Sequence, residues 1–181
     1  MKKFALPEDD DLASLSDAQN QDLDIPLSVA VSVEDLLDGF PIVMNFPILR
    51  SDEDEFKHVN NLVYLQWCER ARVEYLRRIS LWTGLPPSGT GPILASVKCD
   101  YKTPLRFPDI ACVGTRVSRI GNSSMRMEHI IVSQELRIVA AVIDSTIVTI
   151  DHTRGNSITV PANVRGLIGE LEGKFFDMPD A

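Results

Sequence analysis

Residues 50–82 read RSDEDEFKHVNNLVYLQWCERARVEYLRRISLW, and this stretch decides the fold. Four consecutive acids, Asp52 to Glu55, precede His58, Val59, Asn60 and Asn61. From His58 to Trp82 there is neither Gly nor Pro, so nothing interrupts one helix of about six turns. Tyr64 or Leu65, Cys68, Ala71, Tyr75 or Leu76, and Ile79 recur at three- and four-residue steps and give that helix one apolar face. Glu69 with Arg72, Arg70 with Glu74, and Glu74 with Arg78 stand at ion-pair spacing elsewhere on it. Gly84 and Pro86-Pro87 supply a stop.

Acids and a histidine just before a helix have two readings. In the plain one, Asp52 to Glu55 offset the helix dipole and His58 is a surface residue. In the chemical one, unpaired N–H groups at the helix start polarise a carbonyl. A carboxylate in the leading loop then holds or deprotonates a water aimed at the carbonyl carbon, and His58 orients it or moves protons.

Outward from the helix the chain reads as strands. Phe40 to Leu49 is the first, with Pro47 suited to a sheet edge because it donates nothing to a ladder. After the helix, Ile93, Ala95, Val97, Cys99 and Tyr101 alternate with Leu94, Ser96, Lys98 and Asp100. Pro104 and Pro108 bound the next turn. Ala111, Val113, Thr115 and Val117 then mark the inner face of a third strand. Ile120-Gly121-Asn122 turns the chain into a strand from Ser123 to Ser133, with Met125, Met127 and Ile131 on one side. Residues 138–150 are apolar on both faces apart from Asp144, Ser145, Thr146 and Thr149, which suits a central strand. The expected class is α+β, with an antiparallel five-stranded sheet wrapped around one long helix.

Charge divides the 181 residues unevenly. Residues 1–38 carry ten acids and two lysines, whereas the rest carries sixteen acids and sixteen basic residues. Residues 1–38 are expected to form an acidic arm, with 1–24 mobile for want of apolar groups, though Ser32-Val33-Glu34-Asp35 can begin a short helix. The domain proper is expected at 39–165, and 166–181 as a C-terminal tail. The neutral body lacks the basic stripe of a nucleic-acid binder, and no run approaches the length of a membrane span. The arm resembles neither a transit nor a signal peptide, which favours a cytoplasmic location over the mitochondrial matrix. Cys68, Cys99 and Cys112 are scattered and read as core residues of a reducing compartment. His129 reads as a partly buried or interface residue of its strand and His152 as a solvated turn residue. No His-x-x-x-His or Cys-x-x-Cys pair, Gly-x-Ser-x-Gly elbow or phosphate-cradling Gly-rich loop occurs, so neither a metal nor a redox cofactor is expected.

The stretch Asp52-Glu53-Asp54, His58-Val59-Asn60-Asn61, Tyr64 and Glu69-Arg70-Ala71-Arg72 resembles hotdog-fold thioesterases of the 4-hydroxybenzoyl-CoA thioesterase type. The resemblance covers about residues 39–165. It places the family's catalytic carboxylate on Asp54, and the Asp and His of the related plant acyl-carrier thioesterases on Asp54 and His58. Lys57 stands where the family often has Gly, and Phe56 where the plant enzymes have Asn. What the resemblance implies is hydrolysis of an acyl-CoA thioester, with coenzyme A present only as part of the substrate. Asp54 would be base or nucleophile, His58 its orienting or relay partner, and backbone N–H groups of Val59, Asn60 and Asn61 the carbonyl polarisers. Tyr64, Arg116, Arg119, Ser123 and Ser124 would contact the substrate, the arginines through phosphate and the serines through pantetheine amides. The alternative for the arginines is an exposed basic hairpin. A homodimer, or a tetramer of dimers, would pair the Ile93–Tyr101 strand with its own copy.

Two competing readings remain at this point. Hydratases and dehydratases of the same fold use an Asp and a His five residues apart, whereas Asp54 and His58 are four apart. A non-catalytic acyl-thioester-binding or scaffold protein would make the acidic arm its working part.

Overall fold

The computed structural model describes residues 31–82 and 89–176. The acidic arm up to Ala30 and the expected stop at Gly84 to Pro87 lie outside the described residues. In chain order the elements are α1 (Val33–Leu36), β1 (Ile42–Pro47), a single 3-10 turn (Arg50–Asp52) and α2 (Asn61–Arg78). There follow β2 (Thr90–Tyr101), β3 (Ile110–Ile120), β4 (Ser124–Ser133), β5 (Ile138–Asp151), β6 (Asn156–Ser157) and α3 (Ala162–Glu172). The strands form one antiparallel sheet in the order β1-β3-β4-β5-β2, and the two-residue β6 adds to β5. α2 packs on β1 and β3. This is the expected hotdog arrangement, with β1 and its Pro47 at one edge and β5 inside the sheet.

The buried face of α2 is Tyr64, Trp67, Cys68, Ala71, Tyr75 and Leu76, continued by Ile79 just past its end. It separates two apolar clusters. One gathers Phe46, Trp67, Ala111, Val113, Ile131 and Ile143, and the other Ile42, Tyr75, Val117, Met127, Ile147 and Ile168. The helix ends earlier than its composition suggests, at Arg78, with Ser80 in the left-handed region at φ 56. Of the three expected ion pairs, Arg78 with Glu74 is present at 2.8 Å. Arg70 instead lies over the Phe46 ring, and Arg72 turns into a half-buried setting that lowers its pKa, chiefly through desolvation.

β2 departs from strict alternation. Its register against β5 shifts between Leu94 and Ser96, a bulge centred on Ala95. Leu94, Val97, Cys99 and Tyr101 consequently pair with Ile147, Ser145, Ile143 and Ala141 and share their helix-facing side. Ile93, which strict alternation would put on one side with Val97, Cys99 and Tyr101, is out of phase with them, as a one-residue slip requires.

Both expected termini of the domain move outward. α1 is capped by Ser32, whose hydroxyl accepts from Asp35 N–H at 3.0 Å, and it packs Leu37 against Cys112 and Val132 on the outer sheet face. Gly114 permits this approach, since a Cβ there would lie 2.8 Å from Phe40 and 3.0 Å from Leu37. Residues 31–38 therefore belong to the body and not to the arm. At the other end, the expected tail from 166 is the greater part of α3, whose Val164 and Ile168 are buried in the second cluster. Glu172 ties α3 down. Its Oε1 accepts from Tyr75 Oη and from Val117 N–H, both at 2.6 Å, beside the β3 bulge. Replacing Glu172 by Ala strands both donors and is expected to cost about 2–3 kcal/mol, read as a fall in Tm of roughly 5–10 °C. A change within about 1 °C would show that the contact contributes nothing.

His129 is wholly buried, further in than expected. Nδ1 lies 2.8 Å from Thr115 Oγ1 and Nε2 3.2 Å from Ser145 Oγ, a polar belt across three strands between the two apolar clusters. Burial, with the charge of Arg72 added, pushes its imidazole down to about 3. An unfolded chain protonates this histidine near pH 6.5, so below that value the unfolded state binds a proton that the fold refuses. Stability should fall as pH is lowered from about 6 to 4, by up to roughly 1.4 kcal/mol per unit. A His129→Gln variant should show a flatter Tm–pH profile over that range, and parallel profiles would refute the assignment. His152 also departs from expectation: its Nε2 is buried without a partner and rests where a Gly91 Cβ would stand, 2.7 Å away.

Candidate active site

The loop ahead of α2 is closed by its own acids. Asp52 Oδ2 accepts from Leu49 N–H at 2.8 Å. Asp54 Oδ1 accepts from Phe56 N–H at 2.8 Å and from His58 N–H at 3.3 Å. Asp54 N–H donates to His58 O at 2.8 Å, and Glu53 and Val59 form an antiparallel bridge. The turn needs one left-handed residue, and Lys57 provides it at φ 61. The family's frequent glycine at this position thus has a conformational reason, and here a lysine meets the same demand.

None of the acids caps α2. Asn60 is the N-cap, accepting Leu62 N–H on its side-chain oxygen at 2.9 Å, and the first turn contains no acid. The three expected carbonyl polarisers differ. Val59 N–H donates to Leu105 O and Asn60 N–H to Asp52 O, both at 2.8 Å, so both are already used. Asn61, the first helical residue, makes no such bond among the described residues, as the N–H groups of a helix start commonly do not.

A second segment completes the site. Leu105 N–H donates to Tyr64 Oη at 3.0 Å, Phe107 N–H to Glu53 Oε1 at 3.1 Å, and Tyr101 Oη to the Asn61 carbonyl at 3.0 Å. Arg106 Nη2 stands 2.8 Å from His58 Nε2. Together the two segments enclose a cavity of about 210 Å³ lined by Asp54, His58, Val59, Asn61, Tyr64, Tyr101, Lys102, Thr103 and Pro104. A larger hollow of about 960 Å³ lies beside α1, with Val43, Asn45 and Arg137 among its lining, but it contains no histidine. The smaller cavity alone of these two joins a carboxylate, an imidazole and an unused helix-start N–H.

Asp54, His58, Val59, Asn61 and Tyr64 are therefore brought together, and Asn60 holds the helix start beneath them. Tyr64 is buried against Trp67 and Tyr101 and serves more as wall than as a binding hydroxyl. Burial raises the pKa values of Tyr64 and Tyr101 and pushes the Cys68 thiol up to about 12, so neither the phenols nor this thiol is primed as a nucleophile. Arg116, Arg119, Ser123 and Ser124 are elsewhere in the same chain. The Ser123 hairpin closes the far end of β3, about 30 Å from the β3 start beside the cavity by strand rise. Arg116 pairs with Glu128 at 2.8 Å and lies over the Phe40 ring on the outer face; Arg119 is exposed opposite Arg126. Tyr101, Lys102, Thr103, Pro104 and Arg106 were not singled out by sequence reasoning. The bounding Pro104 and Pro108 marked a turn there, but nothing in that turn's residues signals that it folds onto Asp54.

Among solved structures, a thioesterase from Thermus thermophilus complexed with coenzyme A and zinc is 29% identical, with a TM-score of 0.66 over 76% of this chain and 98% of that one. A candidate thioesterase from Pseudomonas aeruginosa is 26% identical, with a TM-score of 0.64 over 71% and 98%. A thioesterase-superfamily protein from Jannaschia shares the fold at 18% identity, with a TM-score of 0.69 over 81% and 95%. The family model describing the thioesterase-like superfamily matches residues 48–179, a span that contains both site segments and α3 without singling out the 4-hydroxybenzoyl-CoA type. By that match the chain belongs to the thioesterase-like superfamily.

Proposed function

We propose that the protein hydrolyses an acyl-CoA thioester to the free acid and coenzyme A. The observation that supports this reading is that Asp54 and Asn61, the first residue of α2, line one small cavity. Backbone donors hold one oxygen of Asp54, and the other is left for a water or a carbonyl carbon. The Asn61 N–H, at the positive end of α2, receives the thioester oxygen as charge builds on it. If Asp54 acts as base, it takes a proton from water as that water's oxygen bonds to the carbonyl carbon. The C–S bond then breaks, and the proton passes to the departing thiolate. If Asp54 attacks directly, its oxygen bonds to the carbonyl carbon as the C–S bond breaks, the coenzyme A thiolate leaves and takes a proton from solvent, and water then cleaves the mixed anhydride to the free acid and the Asp54 carboxylate. Neither route draws on a metal or redox cofactor. The coenzyme A in the Thermus structure supports a CoA thioester as the substrate class.

The same reading proposes a homodimer, which an exposed edge strand supports. β2 is an edge strand whose Ile93, Leu94, Val97 and Tyr101 are exposed by 44, 42, 42 and 41%. Pairing β2 with its copy about Val97 sets Tyr101 opposite the partner's Ile93. Ile93 lies in one row with Val148 and Ser124. The partner's Ser124 then stands three strands from Tyr101, about 14 Å away, within reach of a pantetheine arm. In such a dimer Ser124, remote from the cavity of its own chain, comes near that of the partner, whereas Arg116 stays paired with Glu128 on the outer face.

A panel of short, medium, branched and aromatic acyl-CoAs tests the reading, with free thiol and enoyl absorbance followed together. Thiol release without enoyl change is expected for at least one of them. Enoyl change without thiol release would establish the hydratase reading, and the absence of both signals would count against both enzymatic readings.

A further inference from the structure

Arg106 has no part in the reaction as derived so far. Its neighbours fix its place: Leu105 is bonded to Val59 and Tyr64 on one side, and Phe107 to Glu53 on the other. Among the described residues Arg106 has no carboxylate at ion-pair distance, and its side-chain hydrogen-bond partner is the imidazole of His58, 2.8 Å from Nη2 to Nε2. A guanidinium carries only donors and stays charged near neutral pH. The atom it faces must accept. Nε2 of His58 therefore bears no proton while this bond is made, and a neutral ring then carries its proton on Nδ1. A proton arriving at Nε2 would set two cations in contact and expel the arginine.

We propose that Arg106 is a positioning residue that fixes His58 as the Nδ1–H tautomer. The histidine of the cavity is then a hydrogen-bond donor, and Asp54 is the group that accepts the proton. Of the two roles open to His58, orientation and relay, this selects orientation: the Nδ1–H steadies the substrate, the water or the Asp54 carboxylate. The catalytic consequence rests on the hydrolase reading above; the tautomer does not.

Long-range proton–nitrogen NMR of the full chain, labelled with nitrogen-15 at histidine, reads the tautomer directly at a pH of about 7.5, where a free imidazole is neutral. The His58 signals are assigned by their loss in His58→Asn. The wild type should show the Nδ1–H pattern at His58, and Arg106→Ala should shift it toward Nε2–H. With an acyl-CoA that the wild type cleaves, Arg106→Ala should lower kcat about tenfold with KM within about twofold. Arg106→Lys keeps a cationic donor and should restore part of kcat. His58→Asn keeps an N–H near the Nδ1 position and should retain more activity than His58→Ala. The proposal is overturned by an Nε2–H or doubly protonated His58 in the wild type, by an unchanged tautomer in Arg106→Ala, or by an altered tautomer with unchanged kcat. Should Arg106→Ala fail to fold, the wild-type spectrum and Arg106→Lys still decide. Should no acyl-CoA be cleaved, the hydrolase reading falls by itself and the spectra alone decide the tautomer.

Discussion

Asp54→Asn should lose about 10²–10⁴-fold in kcat while folding as the wild type does. The amide oxygen can still accept from Phe56 and His58 N–H, so the turn that Oδ1 closes should persist. What disappears is the carboxylate facing the cavity, which can neither take a proton nor attack a carbonyl once it is an amide. The measurement is thiol release by a variant whose melting curve overlays the wild type's. Wild-type turnover in a folded Asp54→Asn protein would remove Asp54 from the chemistry. A variant that melts early would show instead that the charge on Oδ1 is needed to hold the loop, so Glu53→Gln, which alters a carboxylate bonded to Phe107 N–H, is the useful control.

The second large effect is expected at Val97. Val97→Pro removes a backbone donor at the middle of β2 and forces φ near −65° in a strand. On the β5 side Val97 is in register with Ser145, so some fold stability is lost as well. Light scattering should give the wild type at least twice 20.1 kDa and the variant a single chain. On the proposed shared site, turnover should fall below about 1% of wild type, since the partner's Ser124 row would no longer meet the cavity. Ser96→Lys, a milder change of charge beside the same edge, should weaken association in proportion to activity over a protein dilution series. An active wild-type monomer would overturn both the pairing and the shared site.

Much of the fold was legible because its signals are periodic. The apolar stripe of α2 and the inner faces of β3 and β4 were read correctly from steps of three, four and two residues. The readings that failed depend on contacts distant in sequence. The Ala95 bulge is invisible in the alternation it interrupts, because apolar residues stand on both sides of it. α3 looked like a tail because its helical face matters only once Tyr75 and Val117 are there to meet Glu172. The site divides in the same way. Asp54, His58 and Asn61 lie within eight residues and were found together. Their opposing wall, Tyr101 to Arg106, is forty or more residues on, and only folding joins it to them. The assignment of all three N–H groups from Val59 to Asn61 to the carbonyl also failed locally, since the acceptors of two of them, Leu105 and Asp52, could not be foreseen.

Lys57 has a consequence for how the site behaves in time. A side chain in the left-handed region sits roughly 1 kcal/mol above a glycine there. A glycine at this position would relax that strain, but it would also open many more backbone states to the loop. A lysine has fewer backbone states than a glycine but prefers those outside the left-handed region, so the turn is held by its hydrogen bonds, Asp54 Oδ1 accepting from Phe56 and His58 N–H and Asp54 N–H donating to His58 O. One oxygen of Asp54 thus keeps a strained turn shut while the other stays open to the cavity, so loosening the turn and misplacing the carboxylate are the same event.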